Sequence, residues 1–230
     1  MKSRLLKALP KNLLVDLDDR LRAEALKAFE MVRDRSGLDA KRSRELEGQA
    51  RFRMMEQAFQ EVCESADGKL LEGGVIPRTD LKVFQPFIRF EGAKHGVILG
   101  LSAMTEPKSI PSKNKSRLAA VSLNYYLSPR LDLDGASPKV GDLFALFLVS
   151  RDKDRAGKIE EVALGVIDSK YESFLFYEPL ETFMAGYTER PQGKAPTPRK
   201  RVVALKKEIK PFVPPEMPKK EEDDSGTGTA

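Results

Sequence analysis

The sequence predicts an α+β protein. An antiparallel helical hairpin occupies residues 1–68, six or so antiparallel strands form a sheet or small barrel over 69–188, and a disordered Pro/Lys-rich tail spans 189–230. Three observations carry this prediction. Apolar residues recur at three- and four-residue steps up to about residue 65, and the period shortens to two after Gly73-Gly74. Beyond about Tyr187 the pattern dissolves among prolines and charges.

From about Asp16 to Arg35 the residues Leu17, Leu21, Ala25, Ala28, Phe29 and Val32 share one helical stripe, which Leu13 and Leu14 extend backwards. Ser36-Gly37 ends it, because glycine after a helix takes the left-handed conformation without penalty. Asp39 is the expected N-cap of a second helix reaching about Ser65. Its stripe reads Leu46, Ala50, Met54, Ala58 and Val62, with Met55 and Phe59 alongside. Phe29, Phe59 and Val62 are expected to be buried. The short connection makes the two helices antiparallel neighbours.

Strand signals follow. Leu81 to Phe90 alternates, with Pro86 marking an edge or bulge, and Val97 to Leu101 is a short second run. Ala119, Val121, Leu123, Tyr125 and Leu127 alternate with Ala120, Ser122, Asn124 and Tyr126, which predicts a strand over 119–127. Leu143 to Val149 is apolar on both faces, as in a central strand. Ile159 to Ile167 and Ser173 to Tyr177 complete a meander through short turns. With no helical pattern between these runs, an antiparallel sheet is expected. Thr105 to Ser116 and Ser128 to Gly141 are long connections.

Composition sets limits on function. Net charge is +5 over 230 residues, but its distribution is uneven. Residues 67–188 carry 16 Lys/Arg against 16 Asp/Glu, whereas 190–220 carry 10 against 2. The basicity therefore belongs mainly to the tail. One cysteine, Cys63, excludes an intramolecular disulfide. The longest apolar run, Leu143 to Val149, is far short of the roughly 20 residues of a membrane span, and Lys7, Pro10 and Lys11 interrupt the basic start before any signal-like stretch. Cytoplasmic residence without membrane contact is expected.

Few residues suggest catalysis. One cysteine and one histidine, His95, cannot fill a zinc site. Leu131-Asp132-Leu133-Asp134-Gly135 lacks the later ligands of a calcium loop and reads as a turn. Asp142 precedes the central strand, and Asp168-Ser169-Lys170 follows the next one. This spacing resembles restriction-type nucleases, where two acids on neighbouring strands hold Mg²⁺ and a lysine helps position water. Asp168 to Tyr171 equally fits a hairpin turn, and the flanking helices of that nuclease fold are not evident.

Basic groups supply the binding candidates. Lys108, Lys113, Lys115 and Arg117 lie in or beside a connection containing one acid, Glu106. Arg199, Lys200, Arg201, Lys206, Lys207 and Lys210 crowd the tail. Arg42, Arg44, Arg51 and Arg53 alternate with glutamates and read as a solvated helix face. The sequence thus points to a non-enzymatic binding or accessory protein without a cofactor. It would contact a protein partner or nucleic acid through the hairpin, the basic connection and the tail. The alternatives are a Mg²⁺-dependent nuclease using Asp142, Asp168 and Lys170, and a structural homo-oligomer built through the hairpin.

Overall fold

A computed structural model of the chain describes residues 1–71, 85–92, 94–127 and 140–187. Its N-terminal part holds three helices: α1 Lys2–Ala8, α2 Lys11–Arg35 and α3 Ala40–Ser65. Pro10 separates the first two, since a residue before proline avoids helical backbone, and Leu9 is extended there. Gly37, at φ +62°, turns the chain between α2 and α3. The Asp39 carboxylate accepts the Lys41 and Arg42 amides, capping α3 as expected.

The stripe of α2 is buried from Leu13 through Val32 as the sequence predicts, with Phe29 the exception. That of α3 is rotated by about one residue. Met55, Ala58, Phe59 and Cys63 are buried, and Arg51 and Glu47 continue the same face. Leu46 is 39% exposed, Phe59 is fully buried, and Phe29 and Val62 are half-buried. The rotation has a physical cause. The first half of α3 packs its inner face on the turn between the fourth and fifth strands with charged side chains. Arg51 donates to the Lys158 carbonyl at 3.2 Å, and Glu47 pairs with Arg151 at 3.2 Å. Arg51 is thus a buried group, not part of a solvated face.

Among the described residues, six strands form one sheet in sequence order. They are β1 Lys69–Leu70, β2 Phe87–Phe90, β3 Val97–Met104, β4 Leu143–Arg151, β5 Ile159–Ile167 and β6 Phe174–Pro179. Strand neighbours are antiparallel except β3 and β4, which run parallel with Val97 opposite Leu143 and Met104 opposite Ser150. Parallel neighbours need a crossover. Here it carries α4 Lys115–Val121 and a 3-10 helix, Ser122–Leu127. The strand expected over 119–127 is therefore helical. Arg117, Ala120, Val121 and Asn124 are its buried residues, at three- and four-residue steps.

Alternation along the strands sends side chains to two cores. Val97, Leu99, Leu101, Ala145, Phe147, Leu164 and Val166 pack with α1, α2, α3 and the short helix α5 Leu180–Ala185. Ile98, Met104, Phe144, Leu146, Leu148, Ala163 and Ile167 pack with α4, Phe87 and Tyr171 on the other face. Among the described residues no helix is long and apolar enough to cross a membrane.

Candidate anion-binding face

The β3–β4 connection carries the predicted basic residues Lys108, Lys113, Lys115 and Arg117. Glu106, its one acid, pairs with Lys153 from the β4–β5 turn at 2.5 Å. Lys108, Lys113 and Lys115 are exposed and have no carboxylate partner among the described residues. Lys108 takes a positive φ of 63°, and its amide donates to the Tyr177 hydroxyl, which in turn donates to Glu161. The basic segment is thereby pinned to the β5–β6 edge of the sheet.

Arg117 differs from these lysines. The Asn114 side chain caps α4 by accepting the Arg117 amide at 2.7 Å, and the Arg117 side chain turns into the sheet. It is 9% exposed. One terminal nitrogen donates to the buried Ser102 hydroxyl, while Nε has no hydrogen-bond partner among the described residues. The Tyr171 hydroxyl faces the guanidinium, and its own proton has no acceptor among the described residues. Burial pushes the Tyr171 phenol up, and the neighbouring Arg117 charge opposes this. A buried donor left unpaired costs about 1–3 kcal/mol, and a buried cation needs a counter-charge or full hydrogen bonding. No described carboxylate pairs with Arg117. The sequence placed it with the loop lysines; only the crossover, which turns position 117 inward, distinguishes it from them.

A second basic surface lies at the hairpin end. Arg33 pairs with Asp34 at 2.6 Å and Arg42 with Asp39 at 2.5 Å. Lys41 and Arg44 are exposed without an ion-paired carboxylate among the described residues, and Arg35 shares Asp34 with Arg33. Farther along α3, burial and the nearby Arg151 charge pull the Arg51 guanidinium below its ordinary value, and Glu47 partly offsets this.

The carboxylates singled out for Mg²⁺ chemistry serve their own turns. Asp142 receives Arg89 Nε at 2.6 Å and the Gly96 amide at 2.7 Å. Burial would raise its carboxyl, but these bonds hold it below the usual range. Asp168 closes the β5–β6 turn by accepting the Glu172 amide at 2.7 Å and the Ser173 amide at 3.0 Å. Lys170 is exposed in that turn. Asp142 and Asp168 flank the same end of the β4–β5 pair. Buried Asn124 lies between the two strands there, donating to the Phe144 and Ile167 carbonyls. No group of three or more His, Cys, Asp or Glu side chains among the described residues could hold a metal ion.

The remaining candidates are quickly placed. Cys63 is buried, and desolvation pushes its thiol far up, away from nucleophilic use. His95 is half-buried in the β2–β3 turn. A cleft of about 530 Å³ between α3 and the start of α4 is lined by Gly48, Phe52, Glu56, Gln85 and Asn114. Arg4, which no sequence pattern marked, donates to Tyr126 Oη and to the Gly96 and Gly141 carbonyls. Asp132 and Asp134, and the tail residues Arg199, Lys200, Arg201, Lys206, Lys207 and Lys210, lie outside the described residues. No protein-family model, curated protein or solved structure matches the chain.

Proposed function

We propose that this is a non-enzymatic binding protein that contacts the phosphate backbone of a nucleic acid. Its β3–β4 connection, its hairpin end and its basic tail supply the contacts. One observation carries the reading: Glu106, the single acid of the connection, is taken by Lys153, which leaves Lys108, Lys113 and Lys115 uncompensated. Lys41 and Arg44 add a second set of cations without ion-paired carboxylates among the described residues. Such charges neutralise phosphates without a shape requirement, so binding is expected to be salt-sensitive and indifferent to sequence.

Charge reversal tests this directly. Lys113→Glu combined with Lys115→Glu changes exposed side chains, so the fold is expected to survive. Affinity for two unrelated duplexes at low salt should fall at least about tenfold for both, because two phosphate contacts are replaced by repulsion. Unchanged affinity, measured by fluorescence anisotropy, would remove the connection from the binding surface. Tight binding to an acidic protein without binding to either duplex would move the partner to the protein class.

A further inference from the structure

We propose that Arg117, Ser102 and Tyr171 form a binding site for one tetrahedral oxyanion, a phosphate or sulfate group. The proposal rests on the reading above only in connecting this anion to the nucleic-acid backbone. The site itself stands on separate observations. Arg117 is 9% exposed, Tyr171 1% and Ser102 fully buried, so the three polar groups meet in a mostly dry environment. What they offer is one-sided. Arg117 Nε–H is an unused donor, and the Tyr171 hydroxyl, whose oxygen faces the guanidinium, has no acceptor for its own proton among the described residues. The Ser102 hydroxyl accepts from the guanidinium, which leaves its own proton free to donate. A guanidinium and two hydroxyls directed together, without a carboxylate among the described residues, are the chemical complement of an oxyanion.

The surroundings agree with this. Tyr171 belongs to a buried cluster with Phe87, Met104, Phe144, Leu148 and Ile167, whose side chains offer no strong acceptor. Low polarity there strengthens a charge-assisted hydrogen bond and makes an uncompensated guanidinium unfavourable. Lys113 and Lys115, two and four residues before Arg117, are exposed at the start of α4 and raise the local concentration of anions.

The test is thermal unfolding of the full chain during titration with inorganic phosphate, using sodium chloride at matched ionic strength as reference. A specific site gives a saturable rise in Tm of a few degrees that chloride does not reproduce. Tyr171→Phe, a conservative change that keeps the packing, should weaken the apparent phosphate affinity severalfold. Arg117→Met should abolish the phosphate response while melting at or above the phosphate-free wild type. Lys113→Glu with Lys115→Glu should move the phosphate response to higher phosphate concentration without abolishing it, as Arg117→Met does, while weakening duplex binding at least about tenfold, which separates this site from the backbone reading. An oligonucleotide with a terminal phosphate, compared with the same strand lacking it, distinguishes a nucleic-acid end from free phosphate as the source.

Two results would overturn the site. One is a wild-type Tm that phosphate moves no more than chloride does, which leaves a water bridging the three groups. The other is an Asp132→Asn or Asp134→Asn variant that loses as much stability as Arg117→Met and shows no additivity with it. That outcome would identify an internal carboxylate as the partner of Arg117.

Discussion

Asn124 donates to the Phe144 carbonyl at 2.9 Å and the Ile167 carbonyl at 3.0 Å, and it accepts the Phe144 amide at 2.9 Å. It does the work of missing ladder hydrogen bonds where β4 and β5 part. Asn124→Ala leaves three buried backbone groups unpaired at about 1–3 kcal/mol each, so urea denaturation should show a loss above about 2 kcal/mol. Asp142 makes a pH prediction. Its folded pKa lies below the ordinary 3.8, so its contribution is present above the unfolded value and disappears as pH falls through the folded one. Asp142→Asn should lower Tm at neutral pH and flatten the acid limb below about pH 5. An unchanged acid limb would mean that the Arg89 pair contributes nothing. Roles of this kind were not legible in the sequence. Arg4 and its acceptor Gly141 are 137 residues apart, and Arg117 and Ser102 are 15 apart on different elements. Only the folded crossover and the packing of α1 bring such partners together.

At the scale of elements, periodicity succeeded where one face is apolar and failed where two signals coincide. α2 was legible because its stripe is uninterrupted from Leu13 to Val32. In α3 the buried face begins with Glu47 and Arg51, so charged residues hid its first half. Stability measurements check the rotated face. Phe59→Ala should cost about 3–5 kcal/mol, while Leu46→Ala should stay within about 0.5 kcal/mol. Equal losses at the two positions would restore the stripe read from the sequence. Over 119–127, residues at every second position are apolar, yet the buried set follows a helical step from Arg117 to Asn124. Asn114 was a readable N-cap; the signal that hid it was topological. An all-antiparallel sheet needs no crossover helix, and β3 pairs with β4 in parallel. The strands β4, β5 and β6, above all Ile159–Ile167, fall where alternation and turn chemistry put them, and β3 runs on from the predicted Val97–Leu101 to Met104. β1 carried no such signal, and residues 81–84 of the expected run Leu81 to Phe90 lie outside the described residues.

At the scale of the whole molecule, the described residues belong to one compact unit, Met1–Pro191. In it α1, α2, α3 and α5 share a core with one face of the sheet. That core accounts for the α2 stripe within a single chain, and the opposite face is covered by the shorter α4, which carries Arg117. The central claim is that uncompensated cations on this scaffold bind nucleic-acid phosphates without catalysing their cleavage. Its most direct test is the dependence of duplex affinity on salt, measured by anisotropy for the full chain with and without Mg²⁺. Log affinity should fall linearly with log salt, by about 0.9 for each phosphate neutralised. Lys113→Glu with Lys115→Glu should reduce that slope by about 2, and the DNA should stay intact with Mg²⁺ present. A slope near zero would contradict the claim. So would Mg²⁺-dependent cleavage that is lost in Asp168→Asn, which would make the protein a nuclease.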